Sequence, residues 1–208
     1  MVTKKVYVSN NGQGYDDVLS EAEKYAEYRN LTGRKKIHIR LLAEELMGMV
    51  ETIAGNFYSY FWIEDDDDKP EIYHLHLKAN VNMDGQIRDV FLDASTSGKN
   101  AAAKGIMGKL RDIFQTYMIG FKDTDNVSYS EPYPGYSCFT EYGLEPFSSS
   151  NLWTLSRYKE NVSKNKDERN LEDWDELEKS IIANLADDVS VGIEGDSVEM
   201  IITKNSAE

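Results

Sequence analysis

The residues with most chemical capacity lie in one stretch, DASTSGKNAAAKGIMGKLRD, residues 93–112. Asp93 is followed by Ser95, Thr96, Ser97, Gly98 and Lys99, a donor-rich loop that opens a helix predicted at about 100–117. The first turn of a helix presents unpaired backbone N–H groups and the positive end of the helix dipole. With hydroxyls and an ammonium nearby, that makes a competent anion site. The same residues also make an ordinary serine or threonine cap with Lys99 on the surface. Inside the predicted helix stand Gly105 and Gly108, behind Lys104. Glycine in a helix interior costs about 1 kcal/mol relative to alanine. Here it would let the backbone approach a ligand, or a facing helix around Gly48. The stretch is not a P-loop, because Asp93 occupies the first-glycine position and Asn100 follows the lysine where a Ser or Thr is needed for magnesium.

Other chemistry-bearing residues are sparser. His74 and His76 share one face of a predicted strand, as a metal pair could, but no third ligand is evident. Asp65 to Asp68 lack the spaced ligands of an EF-hand and are predicted to form a solvated loop. Glu44 and Glu45 sit on a predicted helix, where on their own they read as carboxylates that solvate its edge. Cys138 is the single cysteine, which excludes an internal disulfide and a cysteine-based zinc site.

The elements that must position these residues follow from periodicity. A short strand is expected at 4–8, ended by the turn formers SNNGQG. Helical spacing of Val18, Leu19, Ala22, Tyr25 and Ala26 predicts a helix over 16–29. A second helix at about 35–54 would bury Ile37, Leu41, Leu42, Leu46, Met49, Val50 and Ile53. FYSYFWIE is β-prone, and EIYHLHLKANV alternates, with Tyr73, Leu75, Leu77 and Ala79 on one side and Ile72, His74, His76 and Lys78 on the other. NMDGQ is a hairpin turn, and IRDVFLD is the returning strand. Residues 121–151 are proline- and aromatic-rich, an extended excursion or lid-like insertion. KENVSKNKDERN is charged and expected to be exposed. LEDWDELEKSIIANLADD predicts a further helix burying Leu171, Trp174, Leu177, Ile181, Ile182 and Leu185. VSVGIEGDSVEMIIT predicts two strands around Gly195-Asp196. Antiparallel strand pairs with helices collected together predict an α+β, two-layer sandwich of a mixed, largely antiparallel sheet and a helical layer. The whole of 1–208 is read as one domain with an elaborating insertion at about 121–180.

Composition bounds the function. The 208 residues are 40% hydrophobic and 29% charged, ordinary values for a folded domain that buries a core. The net charge of -14 is not ordinary. It repels phosphate backbones and anionic lipid, so neither nucleic acid nor a membrane surface is an expected partner. No signal peptide and no apolar run near 18 residues is apparent, so a soluble, cytoplasmic protein is expected.

With LLAEELMGMV on the second helix, FLDASTSG ending the hairpin, GIMGKL opening the next helix and DSVEMIITK closing the chain's strands, the sequence resembles the GHKL ATPase superfamily. It looks most like the anti-sigma-factor serine kinases and the ATP-binding domains of histidine kinases, over roughly 4–118 and 188–204. The resemblance implies an ATP or ADP site and a regulatory protein as partner. It implies Glu45 as the catalytic carboxylate and Asp93 as the acceptor of the adenine amino group. It implies Ser95, Ser97, Gly98, Lys99, Lys104, Gly105 and Gly108 as the cradle for the phosphates. Two departures stand out. Met49 occupies the position of the family's magnesium-binding asparagine and offers no hard oxygen, which argues against magnesium-dependent chemistry. The glycine expected two residues after Asp93 arrives only at Gly98. Two functions are therefore expected: an adenine-nucleotide-binding protein with weak or absent catalysis, or a catalytically dead relative acting as an interaction module.

Overall fold

The computed structural model describes residues 1–51, 58–80, 153–164, 178–194 and 197–207. The chain begins with β1 (Val6–Ser9), whose Val6 and Val8 turn inward while Tyr7 turns out. A tight loop leads into α1 (Tyr15–Tyr28), where Asp16 and Asp17 in the first turn complement the helix dipole. Gly14 makes this turn possible. Its φ is +88°, and a Cβ there would lie 2.0 Å from the Tyr7 carbonyl oxygen. Val18, Ala22, Tyr25 and Ala26 are buried, as their helical spacing predicts.

α2 (Arg34–Glu51) packs against α1. It buries Ile39, Leu42, Ala43, Leu46, Met47, Met49 and Val50. Periodicity placed the helix correctly but extended its buried face too far, because Ile37 is 56% exposed and Leu41 only partly covered. Those two lie on the strip that continues through Glu44 and Gly48, which is the solvent side. Ile53 lies outside the described residues.

β2 (Tyr58–Asp66) and β3 (Lys69–Asn80) form a hairpin, with a register shift between Asp65 and Asp66. β4 (Trp153–Thr154) runs directly into α3 (Leu155–Lys164). α4 (Ile181–Leu185) follows, capped by the Ser180 hydroxyl, which accepts from the Ala183 N–H. β5 (Asp188–Glu194) and β6 (Ser197–Asn205) form the last hairpin. The strands make one six-stranded sheet in the order β1-β2-β3-β6-β5-β4. Every pairing among the described residues is antiparallel.

The alternation of β3 holds as expected: Tyr73, Leu75, Leu77 and Ala79 are all buried. They join Phe61 and Ile63 of β2, Val189 and Val191 of β5, and Val198, Met200 and Ile202 of β6 in one core, to which each of the four described helices contributes. The architecture is α+β, with helices and an antiparallel sheet packed around that shared core.

Three expectations change. KENVSKNKDERN is not simply an exposed charged tract, since its first residues lie in α3, where Tyr158 and Val162 are 3% exposed. Lys159 Nζ also donates to the Ala183 carbonyl at 2.7 Å, tying α3 to α4. The described part of the helix expected at 171–188 is short, because Ser180 starts a new helix and Asp188 already begins β5. There Ile181 faces out at 42% exposure, and Ile182 and Ala183 are buried. The third concerns the acidic run, whose Asp65 is buried rather than solvated.

Candidate functional site

Of the residues that the family resemblance implies for the site, Glu45 is the one that lies within the described residues. Asp93, Ser95, Ser97, Gly98, Lys99, Lys104, Gly105 and Gly108 all lie outside them, as do the NMDGQ turn and the helix expected over 100–117. Glu45 sits at the border of the α2 solvent strip, half-buried beside buried Leu46 and Met49. It makes no hydrogen bond or ion pair with any described residue. Burial, and secondarily the charge of Glu44, raises its carboxyl above the ordinary range. No cation lies beside it among the described residues, and a desolvated carboxylate of this kind is a candidate for a functional position.

The neighbours of Glu45 differ from it sharply. Glu44, the other candidate carboxylate, is held by Arg40 at 2.9 Å, and Arg40 also pairs with Glu23 of α1. Glu44 is thus committed to a surface network, whereas Glu45 is not. Met49 is 2% exposed and belongs to the core. Gly48 lies on the open side of α2, where a Cβ would meet nothing within 4 Å among the described residues. A glycine that packing does not require weakens the helix and leaves room beside Glu44 and Glu45.

The acidic run holds a residue that sequence reasoning missed. Asp65 was expected in a solvated loop, yet its side chain is 0% exposed and lies on the core side of β2. It accepts the Tyr25 hydroxyl, the Arg29 Nε at 2.7 Å and a second Arg29 nitrogen, and it lies 3.0 Å from the Met1 ammonium. Burial works against its charge, but the hydrogen bonds from Arg29 and Tyr25 outweigh that and hold its carboxyl below the ordinary value. The signal was present in the period-2 phase of β2: Ser59, Phe61 and Ile63 all point inward, and Asp65 continues the same phase. This network clasps the end of α1 to the sheet.

The outer face of the sheet carries a second set of polar and aromatic groups. Tyr7, Tyr58 and Tyr60 cluster there at ring-centroid distances of 5.8 and 6.0 Å, and all three are exposed. His74 Nδ1 meets Thr203 Oγ1 at 3.0 Å, and His76 Nδ1 meets Glu199 at 2.6 Å. No set of three metal-ligating side chains converges among the described residues. No helix among them is long and apolar enough to cross a membrane.

No family model, curated protein or solved structure matches the chain.

Proposed function

We propose that the protein binds an adenine nucleotide, in the manner of anti-sigma-factor and histidine-kinase ATPase domains of the GHKL type, with weak or absent turnover. The observation that carries this reading is Glu45: a half-buried carboxylate on α2 with no partner among the described residues, beside a glycine that packing among them does not demand. A helical layer on an antiparallel sheet is compatible with it. Asp93 would hold the adenine, and the 95–108 segment the phosphates. Weak turnover follows from Met49, which is buried among apolar neighbours and has no oxygen to offer magnesium. A substrate, if turnover occurs, would be a regulatory protein.

Calorimetric titration of ATP and ADP, with and without magnesium, tests the proposal. Binding indifferent to magnesium is the expected result, with affinity lost in Asp93→Asn. Tight binding that requires magnesium would replace it with an active kinase. No heat and no movement of the melting temperature would remove nucleotide binding altogether.

A second reading, an interaction module without ligand chemistry, is favoured by the exposed Tyr7, Tyr58 and Tyr60 cluster. Serine substitutions at all three that abolish capture of a partner, with nucleotide affinity unchanged, would support it.

A further inference from the structure

The outer face of the sheet should be its wet side, yet two large polar rings are closed off there. Trp62 of β2 and His76 of β3 are cross-strand partners, each 6% exposed, and their rings stack at 4.6 Å with planes 8° apart. One carboxylate spans both edges of the stack. Glu64 Oε2 accepts from Trp62 Nε1 at 3.3 Å, and Glu64 Oε1 lies 3.3 Å from His76 Nε2. The other ring nitrogen, His76 Nδ1, meets Glu199 of β6 at 2.6 Å. His76 Nε2 is shut off from water and completes no hydrogen bond among the described residues. The ring is thus held between two carboxylates on two neighbouring strands.

A neutral imidazole carries one N–H, so it can satisfy one of these carboxylates and must turn a lone pair toward the other. An imidazolium carries two and is attracted to both. We propose that Trp62, His76, Glu64 and Glu199 form a proton-operated clasp that ties β2, β3 and β6 together on the outer face when His76 is protonated and releases Glu64 when it is not. In the neutral state the 2.6 Å contact keeps the proton on Nδ1, toward Glu199, and the β2 side is the one that loosens.

The charged surroundings are mixed and all bear on the ring. Glu64 from β2 and Glu199 from β6 favour the charged form. Lys78 on the same strand, 3.8 Å from Glu199, opposes it, as does Lys5, whose Nζ lies 4.3 Å over the Trp62 ring. His74 lies 6.2 Å away edge-on; burial, and then the charge of His76, hold it below the usual histidine range.

The clasp carries its own reporter, since an imidazolium stacked on an indole quenches its emission. The experiment follows tryptophan fluorescence from about pH 5 to 8, the range in which histidine titrates. The Trp62→Phe trace is subtracted to remove the other tryptophans. Ring-nitrogen NMR of histidine-labelled protein, assigned with His76→Gln, runs alongside. Trp62 emission should rise with pH, the rise should vanish in His76→Gln, and its midpoint should fall in Glu64→Gln. Should His76→Gln not fold, the Glu64→Gln shift and the wild-type ring-nitrogen titration decide. A flat Trp62 trace while the His76 ring titrates overturns the proposal. So does a midpoint indifferent to Glu64→Gln.

Discussion

Asp65 and Glu45 are opposite cases of one residue type. Asp65 is buried with its donors supplied, and Glu45 is half-buried with none among the described residues. Removing one partner of a buried ion pair strands the other, so Asp65→Asn should cost about 3 kcal/mol in urea unfolding. That is the low end of the usual range, because Arg29 keeps some access to water. The pH sign follows from the lowered carboxyl. Its stabilisation is complete above the unfolded value of about 4 and is lost as pH falls through the folded one. The acid limb of the stability curve should therefore flatten in Asp65→Asn; an unchanged limb would place the acid transition elsewhere. Glu45, with its raised carboxyl, behaves in reverse. Its ionisation weakens the fold as pH rises past the folded value, so Glu45→Gln should stabilise the protein near neutral pH by up to about 0.5 kcal/mol. That gain should disappear in acid. A loss of stability in Glu45→Gln would mean that a partner holds the carboxylate.

At the scale of elements, two glycines make contrasting predictions. Gly14→Ala puts a methyl into the Tyr7 carbonyl at a positive φ, so the turn from β1 to α1 should be destabilised by well over 1 kcal/mol. Gly48→Ala meets open space on α2 and should stabilise the helix by up to about 1 kcal/mol. If nucleotide occupies the room beside Glu45, the same variant should bind it more weakly while melting at a higher temperature. A Gly48→Ala protein that melts higher and binds ATP unchanged would leave that room without a ligand. Elements also show where pattern reading stops. α1 and the alternation of β3 were legible because each has one buried face and one period. α3 was not, because Val162 stands in a charged tract that Tyr158 only borders, and both join the core as α3 packs on β4 and β5.

The whole molecule carries -14 charges on 208 residues, and self-repulsion at that density should weaken the compact state. Salt shortens the Debye length from about 30 Å at 0.01 M to about 8 Å at 0.15 M. The melting temperature should accordingly rise over that range of sodium chloride. A fall would show that local ion pairs such as Arg29 with Asp65 outweigh the net field.

Local pattern alone determined the α+β class, the limits of α1 and the β5–β6 hairpin to within a few residues. Period and turn chemistry are properties of neighbouring residues, and they survive without knowledge of the fold. The same pattern marked Glu45 as a carboxylate on a helix edge. It could not say that Arg40 takes Glu44 and leaves Glu45 alone, because the competition also involves Glu23 on another helix. Nor could it say which aspartate of four would be buried, or that His76 would lie between Glu64 and Glu199, 123 residues apart from the latter. Those assignments depend on which strands become neighbours, and the order β1-β2-β3-β6-β5-β4 brings the last strand into the middle of the sheet. Only the tertiary structure decides that, because burial and pairing over such separations are set by how the sheet closes, not by any window of sequence.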